Sequence, residues 1–527
     1  MIRTRAAAAA MIGLLAACAQ QVPAPALPLT SRVSTAPAPT QRLFEEQADI
    51  GATAIPGKTS FDESTETLHI TGSGANIWGT EDAFHFAWSP WTGDVHIVAD
   101  VAFLGAGLDP HRKAGLMVRQ NSSAGSPYAD VMLHGDGLIA MQFREVQGGP
   151  TMEIRSNLTA PAGARLRLEK EGDYVFFSVG GAGGQLRHAG GNYRMKLTGE
   201  FLVGAAVSSH NNAVVETASF RDVELTRPTL AHVPDTGYPA AVESTLEIMD
   251  LTGAESRHVV RHFIGKIEAP NWSRDGSSLI YNSNGLLYRV PLADGEPVAI
   301  DTGPQRKNNN DHGLSPDGKM LAISDQSAAD DHSRIYVLPV TGSPKPRLVV
   351  SHPNAPSYWH GWSPDGRLLA YTASRPATND YDIYVKSLNG GKERRLTTAK
   401  GLDDGPEYSP DGNWIYFNSA RSGAMQIWRM RPDGSEQQQV TTDPALRDWF
   451  PHFSPNGKWI VFISFGTDVA VGDHPPNRDV MLRIMPADGS APPRILTKLF
   501  GGQGTINVPS WSPDSQRIAF VSYRLVR

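Results

Sequence analysis

The chain has 527 residues, and its 48 Lys and Arg against 54 Asp and Glu give a formal net charge of −6. This acidic balance leaves no surplus of positive charge for the phosphates of nucleic acid, so we expect no nucleic acid partner. The single cysteine excludes an intrachain disulfide framework and a cysteine-rich zinc or iron–sulfur site. The 51 glycines and 39 prolines indicate many turns, which favours short strands over long helices.

Residues 1–17 have the pattern of a secretory signal. Arg3 and Arg5 precede an apolar run over residues 6–17, which is too short to span a bilayer but fits the hydrophobic region of an export signal. The run ends in the letters LAAC, and the only cysteine, Cys18, occupies the last place. This ending resembles the bacterial lipobox, in which the cysteine thiol is lipidated and becomes the first residue after cleavage.

The lipobox resemblance implies a lipoprotein anchored to the membrane through Cys18. Ala19 follows the cysteine, and the lipobox rule then favours the outer membrane, with its periplasmic or surface side left open. An ordinary signal is the alternative, since Ala17-Cys18-Ala19 also fits the A-x-A cleavage pattern. Residues 18–41 form a Pro/Ala-rich tether that cannot bury a core.

A repeated sequence unit recurs through residues 242–527, which follow a linker at residues 229–241. Each copy has an aromatic residue or leucine, then Ser-Pro-Asp-Gly or a close variant, then an alternating apolar run. The copies are WSRDG at Trp272, LSPDG at Leu314, WSPDG at Trp362, YSPDG at Tyr408, FSPNG at Phe453 and WSPDS at Trp511. Their serines are 42, 48, 46, 45 and 58 residues apart, which is the spacing of β-propeller blades. Pro and Asp-Gly predict a hairpin between the first two strands of each blade.

The chain ends predict how the ring closes. After Ser512 only residues 516–523 remain for a strand, whereas residues 246–260 match the pattern of residues 335–350. We therefore predict six blades, the last of which is built from both ends of the domain, an arrangement that removes exposed sheet edges.

These W-S-P-D-G units resemble the TolB-type propeller family over about residues 242–527. The resemblance implies the fold but not the function, since the same repeat occurs in periplasmic scaffolds, in the propellers of oligopeptidases and in a metal-dependent oligogalacturonate lyase. No G-x-S-x-G motif of a serine peptidase follows the repeats.

The residues just before each repeat aromatic should surround one end of the central channel, which we call the mouth. These triplets are Ala269-Pro270-Asn271, Asp311-His312-Gly313, Trp359-His360-Gly361, Gly405-Pro406-Glu407, Phe450-Pro451-His452 and Val508-Pro509-Ser510. Histidine and carboxylate groups are suitable ligands for a divalent metal such as Mn, Ca or Zn, and suitable acids and bases. Taken singly, each histidine also fits a structural role in a loop. Their convergence predicts a functional site.

Each mouth residue has a predicted role. His312, His360, His452 and Glu407 are the candidate metal ligands, and His360 and Glu407 are also candidate catalytic groups. His474, on the insertion at residues 467–478, is a candidate base. Trp359, Asn271 and Asp311 are candidate ligand-binding residues. The mouth-level similarity to the oligogalacturonate lyase implies a histidine-bound cation and a histidine base, without a residue-by-residue match.

Residues 42–228 lack the repeat and alternate in short apolar runs separated by glycine-rich turns. This pattern predicts an antiparallel β-sandwich. The stretches KAGLMVRQ and MQFRE resemble concanavalin-like jelly rolls of lectins and glucanases, which implies carbohydrate binding. Arg119 and Arg144 are the candidate hydrogen-bond donors to a sugar, and Trp78, Trp88 and Trp91 could stack on one, although core packing is the commoner role of tryptophan in a sandwich.

The sequence thus predicts an all-β lipoprotein with a sandwich and a six-bladed propeller. We expect it to bind, and to process as a lyase or hydrolase, an acidic saccharide at the mouth with a divalent metal. The alternative is a non-enzymatic scaffold, like the TolB proteins, that binds envelope protein partners.

Overall fold

A computed structural model of the chain describes residues 43–228, 242–253, 255–293, 295–376 and 380–526. The predicted signal peptide, Cys18, the tether and the linker at 229–241 lie outside the described residues. All the regular secondary structure in the described ranges is β-strand, which confirms the all-β prediction. Accordingly, no helix in those ranges could cross a membrane. Residues Phe44–Arg527 form one compact unit.

The region before the repeats contains fourteen strands. They are β1 (Glu46–Ile50), β2 (Lys58–Asp62), β3 (Thr67–Gly72), β4 (Phe84–Thr92), β5 (Val95–Phe103), β6 (Lys113–Arg119), β7 (Tyr128–His134), β8 (Leu138–Arg144), β9 (Thr151–Thr159), β10 (Ala164–Glu171), β11 (Tyr174–Gly181), β12 (Arg187–Arg194), β13 (Glu200–Ser208) and β14 (Glu216–Thr226). One sheet contains them in the order β1-β4-β13-β6-β7-β8-β9, and a second in the order β12-β11-β10-β5-β14-β3-β2.

These two sheets share one hydrophobic core. Alternate residues such as Leu116 and Val131 of the first sheet and Ile97 and Leu168 of the second are fully buried in one apolar cluster. This alternation is what an antiparallel sheet with one face on a core requires.

The repeat region contains twenty-three strands. They are β15 (Val242–Asp250), β16 (Ser256–Ile264), β17 (Glu268–Trp272), β18 (Ser278–Ser283), β19 (Leu286–Pro291), β20 (Val298–Ala299), β21 (Asn308–Leu314), β22 (Met320–Asp325), β23 (Arg334–Pro339), β24 (Arg347–Val350), β25 (Ser357–Trp362), β26 (Leu368–Ser374), β27 (Tyr381–Ser387), β28 (Arg394–Arg395), β29 (Asp403–Tyr408), β30 (Ile415–Ser419), β31 (Gln426–Met430), β32 (Gln438–Gln439), β33 (Arg447–Phe453), β34 (Trp459–Phe465), β35 (Pro476–Pro486), β36 (Arg494–Gly502) and β37 (Arg517–Leu525). Strands β17 to β36 form five consecutive antiparallel sheets of four strands, which confirms the propeller.

The Ser-Pro-Asp-Gly units form the predicted turns between the first two strands of a blade. In the second blade Ser315 Oγ donates to Asp317 Oδ1 at 2.6 Å, and Gly318 N donates to the Ser315 carbonyl at 2.9 Å. Gly318 has a φ of +71°, a conformation that costs glycine little. The Asp317 carboxylate therefore accepts a hydrogen bond within its own turn.

The number of separate blades is five, not the predicted six. The two chain ends do pair as expected, because β37 is antiparallel to β15 over Val242–Asp250 and β15 is antiparallel to β16. However, β16 also pairs in parallel with β9, so these three strands extend the first sheet to ten strands. Sequence periodicity carries no information on this pairing, since it depends on two distant strands meeting edge to edge.

Candidate functional site

A cavity of about 820 Å³ occupies the mouth. Its wall comes from the first strands of the blades and from loops between second and third strands, such as Asn284 and Gly285. The wall contains eight carboxamide side chains: Asn282, Asn284, Asn308, Asn309, Asn310, Gln326, Gln503 and Asn507. Its ionisable side chains are Lys266, Glu268, Asp311, Tyr358, His360, Tyr381, Asp404 and His474.

One repeat position contributes to this wall from nearly every blade. It lies four residues before the repeat aromatic or leucine, and its occupants are Glu268, Asn310, Tyr358, Asp404, Trp449 and Asn507. All except Trp449 line the cavity. The sequence interpretation stopped at the three preceding residues and missed Asp404 and Glu268, although counting one residue further would have found both.

A backbone irregularity explains why the fourth position faces the cavity. Strands β17, β21, β25, β29 and β33 each break register with the next strand just before the repeat aromatic. Ala269, Gly405 and Phe450 have positive φ values of 56°, 62° and 54° at the same repeat position. A bulge changes the direction of the side chains around it, so simple alternation does not predict which of them face the channel.

His360 and Asp404 form an ion pair inside the cavity. His360 Nε2 lies 3.0 Å from Asp404 Oδ1. Burial by itself would lower the pKa of His360, but the negative charges of Asp404 and Asp311 outweigh it and raise this pKa above its ordinary value. Burial likewise opposes ionisation of Asp404, and the charge and hydrogen bond of His360 bring its pKa down to about 2. Each group of the pair therefore favours the charged form of the other.

Asp311 is the other carboxyl group deep in this wall. Burial raises its pKa to about 7, while Asn309 Nδ2 donates to its Oδ2 at 2.7 Å. A carboxyl group with a strongly perturbed pKa in a cavity is a candidate functional group. Asp311 thus changes charge near neutral pH within reach of a ligand in the mouth.

The remaining charged groups of the mouth have close partners. Lys266 Nζ lies 2.6 Å from Glu268 Oε1. His474 packs against Trp449 with ring centroids 4.2 Å apart and against Phe450 at 5.3 Å. Burial lowers the pKa of His474, so its imidazole is neutral at pH 7. The structure brings His474 and His360 to the wall of one cavity.

Glu407 and His452 lie outside the mouth cavity. His452 Nδ1 lies 2.6 Å from Glu407 Oε2, and its Nε2 lies 2.8 Å from the Ile506 carbonyl. The other oxygen of Glu407 accepts from Phe453 N at 2.9 Å. Glu407 lines a separate cavity of about 290 Å³ at the opposite end of the channel, which we call the hairpin-end cavity. Both side chains are bonded to each other and to backbone, which fits a structural role.

Three further predicted site residues are also away from the mouth cavity. His312 is fully buried in β21, and burial lowers its pKa to about 4. Trp359 is buried against Gly313 of the preceding blade. Asn271 lines the hairpin-end cavity and donates to the Pro509 carbonyl. The predicted metal ligands His312, His360, His452 and Glu407 therefore do not converge, and they do not fit one shared metal ion.

Arg119 and Arg144 are buried rather than available to a sugar. Both are 0% exposed. Arg144 makes two bonds to Asp82 at 2.7 and 2.8 Å, and Arg119 lies 3.5 Å from the same carboxylate. The predicted role failed because the segment carrying Asp82 covers this face of the sheet, which strand alternation alone had left open. Trp88 is likewise buried, stacked on Phe86.

One cluster among the described residues has the geometry of a possible metal site. It consists of His96, Glu169 and Glu171, whose ligand atoms lie within 4.8 Å of one another. Arg524 already contacts Glu169 at 3.0 Å and Glu171 at 2.9 Å. Burial opposes ionisation of Glu169, but Arg524 and Arg167 bring its pKa down to about 2. The guanidinium of Arg524 thus supplies the positive charge that a cation would otherwise bring.

Comparison with known proteins places the repeats in one family. The TolB β-propeller domain family matches residues 315–474. An uncharacterized protein of Agrobacterium fabrum is 50% identical over 289 residues, which is 55% of this chain and 95% of that protein. The solved structure of a protein described as TolB from Agrobacterium tumefaciens is 48% identical, covers 54% of this chain and all of that chain, and superposes with a TM-score of 0.51.

A more distant relative is the Tol-Pal system protein TolB of Francisella tularensis. It is 28% identical over 110 residues, which is 20% of this chain. The match spans about a quarter of that protein's length. The match therefore concerns a small part of either protein.

Proposed function

Because this chain belongs to the TolB-type β-propeller family, we propose that it is a cell-envelope protein that binds a saccharide at the mouth of the propeller. The supporting observation is the composition of the mouth wall. Its charged side chains pair with one another, as His360 does with Asp404 and Lys266 with Glu268. Eight carboxamides and the phenols of Tyr358 and Tyr381 also line the wall.

Carboxamides and phenols suit a neutral polyhydroxylated ligand. A carboxamide both donates and accepts hydrogen bonds, as a sugar hydroxyl does, and an aromatic ring offers a flat apolar surface with a polar edge. A few polar groups in a concave site set the orientation of a bound ligand. We propose that these groups hold the sugar chain along the mouth.

The charge balance favours a neutral saccharide over the acidic one that the sequence suggested. A uronate needs a cation, and both Lys266 and His360 already face carboxylates at 2.6 and 3.0 Å. Burying another carboxylate beside Glu268 and Asp404 would cost free energy through repulsion. We propose binding rather than lyase or hydrolase chemistry, since the predicted metal ligands do not converge.

A second candidate is a scaffold that binds an envelope protein partner. The observation that favours it is the relative named as a Tol-Pal system protein. A partner's peptide backbone would find donors and acceptors among the same carboxamides. The two candidates differ in the ligand and share the cavity.

Calorimetric titration of the full chain with neutral and uronate oligosaccharides of equal length tests the proposal. We expect binding of the neutral series, and at least about ten-fold weaker binding in Gln326→Ala and Tyr358→Ala. The matched control is Gln516→Ala, an exposed glutamine outside the mouth. A preference for uronates, or equal binding by all three variants, would contradict neutral saccharide binding at the mouth. Capture of an envelope protein that depends on Tyr358 would favour the scaffold instead.

We also propose where in the cell envelope the protein is anchored and which fold the region before the repeats has. Lipidation of Cys18 would anchor the protein to the outer membrane, because several acyl chains bind a bilayer stably. Cys18→Ser should then release the protein from the membrane fraction, and an unchanged fraction would refute the anchor. The two sheets formed by β1 to β14 would be the concanavalin-like sandwich.

A further inference from the structure

The hairpin-end cavity has a wall unlike that of the mouth. The two cavities have no lining residue in common. Six repeat residues form an apolar ring around it, each 4 to 8% exposed: Trp272, Leu314, Trp362, Tyr408, Phe453 and Trp511. The prolines of four hairpins, Pro316, Pro364, Pro410 and Pro455, continue the wall outward. Such a wall favours an apolar group.

The first blade has no proline at the position that contributes these wall prolines. Arg274 stands in the first blade where the second to fifth blades have proline, and it lines the cavity. Its side chain is exposed, and its Nε donates to the Ser315 carbonyl at 3.3 Å. The negative charges that act on Arg274 are those of Glu407, which is bonded to His452, and Asp317, which accepts from Ser315 Oγ. No ion pair of Arg274 occurs among the residues that the structure describes.

Three buried polar groups on the same wall lack a partner in the described part of the chain. They are Asn271 Oδ1, Trp272 Nε1 and the Tyr408 hydroxyl, on side chains 3, 4 and 6% exposed. A buried polar group without a hydrogen bond costs free energy. In two other repeats Trp362 Nε1 and Trp511 Nε1 donate to the Gly313 and His452 carbonyls of the preceding repeat. The first blade is therefore the one in which this tryptophan donor is available.

We propose that the hairpin-end cavity binds the C-terminal residue of a peptide with an apolar side chain. The carboxylate would face the guanidinium of Arg274, with Trp272 Nε1 as a further donor. The amide N–H of the terminal residue would donate to Asn271 Oδ1. The side chain of the terminal residue would lie inside the apolar ring of six repeat residues. Carboxylates bind arginine through strong charge-assisted hydrogen bonds, and a volume of about 290 Å³ suits a single side chain.

Acetyl-Ala-Ala-Leu as the free acid and as the C-terminal amide are the probes, titrated into the full chain by calorimetry. Tryptophan fluorescence provides a second signal, since Trp272, Trp362 and Trp511 line the cavity. We expect the acid to bind at least about ten-fold more tightly than the amide. Arg274→Pro, which introduces the residue of the other blades, should abolish this difference. Arg274→Gln should do the same without changing the turn.

The matched control is Arg367→Ala, an exposed arginine on the hairpin of the third blade that does not line the cavity. It should leave the preference for the acid unchanged. Equal affinity for acid and amide, wild-type preference in Arg274→Pro, or no binding of either probe would overturn the proposal. N-acetyl-leucine carries the same carboxylate, amide N–H and side chain as the last residue of the tripeptide, so it should bind about as tightly, and a failure to bind would overturn the assignment to the C-terminal residue. The affinity of the mouth for saccharide should be unchanged in Arg274→Pro. The two proposed sites can therefore be refuted separately.

Discussion

His360 and Asp404 belong to neighbouring blades, and their Nε2 and Oδ1 atoms lie 3.0 Å apart at the mouth. Burial disfavours both charges, but Asp404 raises the pKa of His360 and His360 lowers the pKa of Asp404. The pair thereby links two adjacent blades at the mouth.

Asp404→Asn should lower the pKa of His360. The reason is that burial alone favours the neutral imidazole, and Asp404 supplies the largest opposing charge. NMR titration of the His360 ring measures the change. Asp473→Asn is the control, because this exposed carboxylate lies beside His474 instead. An unchanged pKa of His360 in Asp404→Asn would show that the pair is not what charges it.

Asp311→Asn should stabilise the protein at high pH only. Burial raises the pKa of Asp311 from 3.8 to about 7, so the folded state binds a proton that the unfolded state releases. The free energy of unfolding contributed by this group therefore falls as pH rises from about 4 to 7. The substitution should raise the free energy of unfolding by about 1 to 3 kcal/mol at pH 8 and change it little at pH 4. Melting curves at both pH values test this, and equal shifts would contradict it.

Arg524→Met should destabilise the protein and create a metal site. Removing the guanidinium leaves Glu169 and Glu171 buried beside each other, at a cost of about 3 kcal/mol or more. Zn²⁺ should then raise the melting temperature of the variant and not that of the wild type, because His96 and both carboxylates become available. Arg165→Met, which breaks a more exposed ion pair with Asp100, should cost less than about 1 kcal/mol. An identical Zn²⁺ response in wild type and Arg524→Met would refute the role given to Arg524.

Glu247→Ala should weaken the junction of the two chain ends. Glu247 is fully buried, accepts from Arg257 at 2.6 and 2.9 Å, and accepts from Ser522 of β37. Its loss leaves the Arg257 charge buried and unpaired, which costs about 3 to 5 kcal/mol. Denaturant unfolding measures the loss. Glu255→Ala, whose partner Arg494 is exposed, is the control, and a similar effect of both would argue against a closure held by Glu247.

The sequence alone predicts the propeller because its determinants are local and repeated. Ser315, Asp317 and Gly318 build their turn from neighbouring groups, and the same happens wherever the motif recurs. The pairing of β15 with β37 is predictable for a related reason, because residues 246–260 have the pattern of residues 335–350, which form the third and fourth strands of a blade.

Tertiary structure decided which polar residues meet. The register breaks in the first strands bring Asp404 to His360 and leave Glu407 with His452, and strand alternation cannot predict a bulge. Arg144 has the alternation of a surface residue but lies beneath the segment that carries Asp82. Likewise, the pairing of β9 with β16 joins the propeller to the first sheet through contacts between distant segments. Contacts between distant segments depend on the whole packed chain, so no local pattern in the sequence records them.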